Sequence, residues 1–175
     1  ADRKLALTAI VQGPVAPMGV YSQKHKTLAD VKTGAKVALP NDPSNLARAL
    51  LVLQQAGLVK VKDGVNPARI SELDLAANPR KLKFVALEAA QLPRVLQDAD
   101  LVVVNGNFAI SSGLKLSEAV VLEKTPDAYL NVVAVKTGNE SKPWAKDLAA
   151  AYRSPEFKAV VDSQFVGYMK PAFLN

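Results

Sequence analysis

Apolar residues along this chain fall into short runs between turn-forming clusters, a pattern of strands joined by compact connections. Leu5 to Val11 is the first run, and beyond Gln12-Gly13-Pro14 comes a short Met18-Gly19-Val20-Tyr21 piece. Thr27 to Val31 has room for one capped turn, after which Thr33-Gly34 leads into Lys36 to Pro40, a buried strand. The period then changes. From Ser44 to Ala56, Leu46, Ala49, Leu50 and Leu53 share one face of a helical wheel. Pro43 suits the first helical position, where its missing N–H has no partner to lose, Asp42 or Ser44 is placed to cap, and Gly57 ends the helix. Leu58 to Val61 predicts an extended piece, Asn66-Pro67 through Leu75 a weak helix stopping at Asn78-Pro79, and Leu82 to Leu87 a strand. A helix around Leu92 to Leu96, a strand from Ala99 to Val104 and a short helix from Phe108 to Gly113 continue the alternation. After Ala119 to Leu122 and a strand from Tyr129 to Val135, two helices, Ser141 to Tyr152 and Ser154 to Val166, close the chain. Strands alternating with helices predict an α/β fold whose sheet is largely parallel, with helices on both faces.

In such sheets ligands gather beyond the carboxyl ends of strands, which directs attention to Pro40-Asn41-Asp42 and to Asn105-Gly106-Asn107. Arg48 lies nearly opposite the apolar face of the central helix, free by that reading to reach out from its first turns. A helix N-terminus attracts anions, so a carboxylate ligand would satisfy both the free amides and the arginine. Asn105 and Asn131, each at a strand end, add carboxamides able to donate and accept. Each alone reads as easily as a turn residue or a solvated surface group. Together they suit the charged head of a zwitterion.

Composition narrows the chemistry further. Lys and Arg number 22 against 16 Asp and Glu, a net charge of +6, but the cations are scattered, interleave with few aromatics and form no basic helix, so no nucleic-acid partner is expected. The absence of cysteine excludes disulfides and thiol chemistry. His25, the single histidine, sits between Lys24 and Lys26 and reads as exposed; Asp98 with Asp100, and Glu72 with Asp74, read as solvated pairs. With no base to activate a nucleophile and no phosphate loop or paired metal ligands, neither an enzyme nor a cofactor or metal is expected. No apolar run approaches the roughly 20 residues that span a bilayer.

Three motifs carry a resemblance: Pro40-Asn41-Asp42-Pro43-Ser44-Asn45 with Arg48-Ala49-Leu50, Leu87-Glu88-Ala89-Ala90-Gln91-Leu92-Pro93-Arg94, and Val104-Asn105-Gly106-Asn107-Phe108-Ala109. With Met18 to Ser22 and Leu58 to Val65 they closely resemble the NlpA-type lipoproteins, methionine-binding components of bacterial ABC importers. The resemblance implies a periplasmic-binding-protein-like (type II) fold of two lobes, with methionine or a related amino acid held between them and delivered to a membrane permease. It implies that Arg48 holds the ligand carboxylate and that Asn105 and Asn131 bond its backbone groups. It also implies a periplasmic or surface location, lipid-anchored in the full-length parent, although these 175 residues are expected to be soluble.

Family members carry a lipid-attached cysteine and further elements of lobe one ahead of the point matching Ala1, with aromatic and histidine residues lining the side-chain pocket. Residues 35–113 would then form lobe two, and residues 1–34 with 114–175 an incomplete lobe one. Around Gln12-Gly13-Pro14-Val15 the family's aromatic, histidine or acidic residues are replaced. Weakened binding is therefore expected. An alternative expectation is a shortened paralogue that associates, as a homodimer for example, through an exposed sheet edge.

Overall fold

The computed structural model describes residues 5–126 and 129–175. Among the described residues, nine strands and four α-helices run in chain order as β1 (Leu7–Gly13), β2 (Gly19–Tyr21), β3 (Lys36–Pro40), α1 (Pro43–Gln55), β4 (Lys60–Val61), β5 (Leu75–Ala77), β6 (Lys83–Leu87), β7 (Leu101–Val104), α2 (Gly106–Ser111), β8 (Val121–Leu122), β9 (Asn131–Lys136), α3 (Pro143–Tyr152) and α4 (Pro155–Gln164).

The described residues form two compact units, residues 17–124 and the flanking residues up to 16 with 125–175. These borders differ from those expected from sequence. β2 and β8 join the sheet of the larger unit and carry residues 17–34 and 114–124 with them.

The larger unit is built on a five-stranded sheet in the order β6-β3-β7-β2-β8. β3 pairs in parallel with β6 and β7, whereas β2 runs antiparallel to both β7 and β8, so the sheet is mixed where a largely parallel one was expected. Side chains alternate across it with a period of two. Val37, Leu39, Leu101 and Val103 face α1 and meet its Ala47, Ala49, Leu50 and Leu53 in one core layer; Ala38, Val102 and Val104 face the opposite way and pack with Leu92, Leu96 and Ala109. Beneath that second layer runs a 3-10 helix, Ala89–Val95, in place of the expected helix around Leu92; Pro93 lies inside it.

α1 forms as its sequence predicts. Asp42 caps its start, Pro43 opens its first turn, and at its end Leu58 N–H bonds back to Leu53 O at 3.0 Å while Gly57 takes the left-handed backbone, φ 72°, that a side chain would resist. The weak helix expected between Asn66 and Asn78 is absent. A 3-10 turn, Glu72–Asp74, is held by Asp74 accepting from Ser71 N–H and Oγ, and Leu75–Ala77 then pairs with β4.

In the smaller unit β1 and β9 form an antiparallel two-stranded sheet with an irregularity between Ala9 and Val11. Helix α3 packs on β1, and Tyr152 at the end of α3 meets Phe157 of α4 with ring centroids 4.7 Å apart.

Candidate ligand-binding site

Sheet order creates a switch point between β3 and β7. From β3 the chain passes through α1 to β6 on one side, and from β6 it crosses back to β7 on the other. The parallel strands β3 and β7 thus end side by side while their connections diverge, the arrangement at whose carboxyl ends ligands of open α/β sheets bind. Asn105 follows β7 there, and the capped start of α1 follows β3.

Residue alternation puts Asn105 on the α1 side of the sheet, with Leu101 and Val103. Its Nδ2 donates to Asn45 Oδ1 at 2.7 Å, and Asn45 in turn donates from Nδ2 to both Asp42 carboxylate oxygens at 3.1 and 3.0 Å. Asp42 Oδ1 also accepts Asn45 N–H at 3.0 Å, the bond that caps the helix. Asn105 is only 7% exposed, and its Oδ1 is buried without a donor. Leaving such an oxygen unsatisfied costs on the order of 1–3 kcal/mol, a cost that an arriving donor would remove.

Arg48 lies one helical turn beyond Asn45, on a neighbouring stripe of α1. Sequence reasoning left it free, and the structure corrects this. Nε donates to Glu123 Oε1 at 2.7 Å and Nη2 to Oε2 at 2.5 Å, and the two side chains are 12% and 4% exposed. Glu123 is held from its other side too, since Met18 N–H donates to Oε2 at 2.9 Å and Glu123 N–H to Met18 O at 2.8 Å. β8 runs parallel to β7 because each is antiparallel to β2 between them, so Glu123 leaves the sheet at the same end as Asn105. Glu123 was missed in the sequence. The signal was a lone acid directly after the apolar run Ala119 to Leu122.

Asn131 belongs to the smaller unit, where its Nδ2 donates to Pro14 O at 3.0 Å. It lines a recess of about 260 Å³ whose walls include Tyr152, Phe157 and Phe165. This aromatic wall was also missed; Tyr152 and Phe157 bracket the Ser154-Pro155 turn between two helices, a spacing that brings both rings together. The structure thus gathers Arg48 and Asn105 at one end of the larger unit's sheet and sets Asn131 beside aromatic rings in the smaller unit.

His25 is a further correction. Its side chain is 13% exposed and its Nε2 lies 3.4 Å from Asp100 Oδ1, so it packs at the entry to the central strand β7 rather than standing in solvent. Asp100 is equally engaged, accepting Lys36 N–H at 2.7 Å on Oδ2. Among the described residues no group of three or more His, Asp or Glu could hold a metal ion, and no helix is long and apolar enough to cross a membrane.

In open α/β sheets the switch point is where ligands gather, and Arg48 and Asn105 lie there. Kinship narrows the class: the profile of the NlpA lipoprotein family matches residues 1–173, and the chain belongs to that family. It is 40% identical over 169 residues to the D-methionine-binding lipoprotein MetQ of Salmonella typhi, covering 95% of this chain and 62% of that protein. The corresponding protein of Escherichia coli K12 is 39% identical over the same length. Among solved structures, a nutrient-binding protein from Burkholderia cenocepacia bound to methionine superposes with a TM-score of 0.87 at 42% identity, covering 97% of this chain and 72% of that one. The fold is thus the α/β architecture of periplasmic methionine-binding proteins. These 175 residues span 62% of the length of the MetQ relatives.

Proposed function

We propose that the protein is the substrate-binding component of an ABC importer and that it binds methionine or a closely related amino acid. Arg48 takes the ligand carboxylate, with Glu123 fixing the plane of its guanidinium. Asn105 and Asn131 are the residues proposed to bond the remaining polar groups of the ligand head. The observation that carries this reading is the buried, donor-less Oδ1 of Asn105, whose NH2 bonds Asn45 one helical turn before a buried arginine; the methionine-binding names of relatives near 40% identity supply the ligand class. The partner downstream is a membrane permease, and the location is the periplasm or cell surface, with a lipid anchor on the full-length protein.

The 175 residues span 62% of the length of the MetQ relatives, and they are expected to bind more weakly than micromolar. Calorimetric or NMR titration with methionine and with methioninamide tests this. Methionine should bind, and losing its carboxylate should lower affinity about tenfold or more, as should Arg48→Lys, which cannot reproduce a planar fork. Equal affinity for both compounds, or an unaffected Arg48→Lys variant, overturns the assignment of Arg48. Micromolar or tighter binding contradicts the expected weakening.

A second reading, self-association through the β1–β9 sheet, is favoured by the exposure of Leu7 and Val132 there, 55% and 52%.

A further inference from the structure

The three linked side chains at the start of α1 have a fixed polarity. A carboxylate offers only acceptors, so Asn45, bonded to both Asp42 oxygens at 3.1 and 3.0 Å, must turn its NH2 toward Asp42 and its oxygen away. That oxygen is an acceptor, so Asn105, 2.7 Å from it, must in turn present its own NH2. The Asn105 oxygen is what remains, and it is buried with no donor. One carboxylate thus sets the orientation of two successive carboxamides, and it sets the second so that the switch point is offered an acceptor.

We propose that Asp42 and Asn45 are positioning residues that make Asn105 a selective acceptor for the amino group of the ligand. This rests on the reading above that Asn105 contacts an amino acid. An ammonium brings donors to Asn105 Oδ1 and removes its burial penalty, whereas a ligand presenting a carbonyl oxygen there sets acceptor against acceptor. The relay therefore discriminates against the keto acid of the same carbon skeleton. It does so without any contact between Asp42 or Asn45 and the ligand.

Asp42→Asn is the decisive substitution. Asparagine caps a helix as well as aspartate does, with its oxygen on Asn45 N–H, so α1 is retained, but its NH2 then replaces the second acceptor facing Asn45 and the polarity of the chain is released. Wild type should bind methionine about tenfold or more tighter than its α-keto acid, the difference made by a hydrogen bond to a charged donor. In Asp42→Asn the preference should shrink to within about threefold as methionine weakens and the keto acid gains. Titrations at high salt screen any direct effect of removing the Asp42 charge.

A second measurement needs no ligand. In wild type, the side-chain NH2 of Asn105, assigned by its disappearance in Asn105→Ala, should show one proton protected from solvent exchange; in Asp42→Asn that protection should fall. If methionine binds and Asn105→Ala weakens it while Asp42→Asn keeps both the amine preference and the protected proton, the relay is overturned and the site reading stands. If neither compound binds, or Asn105→Ala changes nothing, the site reading falls and takes the relay with it.

Discussion

Arg48 and Glu123 show how a charge pair can be both a liability and a device. Their side chains are 12% and 4% exposed, so each has lost most of its hydration, and the pair is tolerable only because the fork is filled and Met18 N–H adds a third bond to the carboxylate. Removing one partner leaves the other charged and desolvated. Glu123→Gln keeps the shape but not the charge, and it should lower the free energy of unfolding by about 3 kcal/mol, read from urea denaturation by circular dichroism. Arg48→Met in the Glu123→Gln background should recover part of that loss, because an apolar stem needs no counter-ion there. A Glu123→Gln variant as stable as wild type would mean that water reaches the pair and that Glu123 does not hold Arg48.

Elements were legible in the sequence where local signals agreed. α1 has an apolar stripe, a capping aspartate, a first-turn proline and a terminal glycine, and it forms within a residue or two of its expected limits. The segment from Asn66 to Asn78 has apolar spacing alone, and Leu73, on the expected apolar face, is 85% exposed. The Ser71–Asp74 bonds captured the turn instead. β2 is three residues long, too short for a pattern to reveal that it enters the sheet antiparallel. The candidate site divides in the same way: Asp42, Arg48 and Asn105 sit next to readable strand ends, whereas Glu123 is 75 residues from Arg48 and meets it only through sheet order. Asp100, at the entry to β7, makes the junction of elements testable. The Lys36 N–H, and secondarily His25, hold its carboxyl below the usual carboxylate range. A carboxyl lowered in the folded state stabilises above its unfolded value, about 3.9, and that contribution is lost as pH falls through the folded value. Asp100→Asn should therefore cost about 1 kcal/mol at neutral pH, allowing for partial exposure. The difference between urea melts of the two proteins should begin to shrink as pH falls below about 4 and vanish only below the lowered folded value; a difference that persists there would trace the loss to packing rather than charge.

The molecule as a whole distributes its apolar surface unevenly between its two units. In the larger unit both faces of the central strands are covered, with Val37, Leu39, Leu101, Val102, Val103 and Val104 at most 0% exposed. In the smaller unit Val135 is buried on one face of the sheet, whereas Leu7 and Val132 on the other are more than half exposed, with the cross-strand pair Ala9 and Ala134 beside them. A two-stranded sheet also leaves both strands with an unpaired edge, and such a sheet is marginal unless something extends or covers it. A second copy of the chain would do both, by pairing edge to edge and burying the Leu7 and Val132 face. Association of this kind predicts that sedimentation velocity shows a species heavier than 18.6 kDa that grows with concentration. Val132→Lys, which places a charge on the open face without touching the buried Val135 side, should return the protein to 18.6 kDa with its far-UV circular dichroism unchanged. A single 18.6 kDa species for the wild type at every concentration would dismiss the association reading and leave ligand binding as the function of the chain.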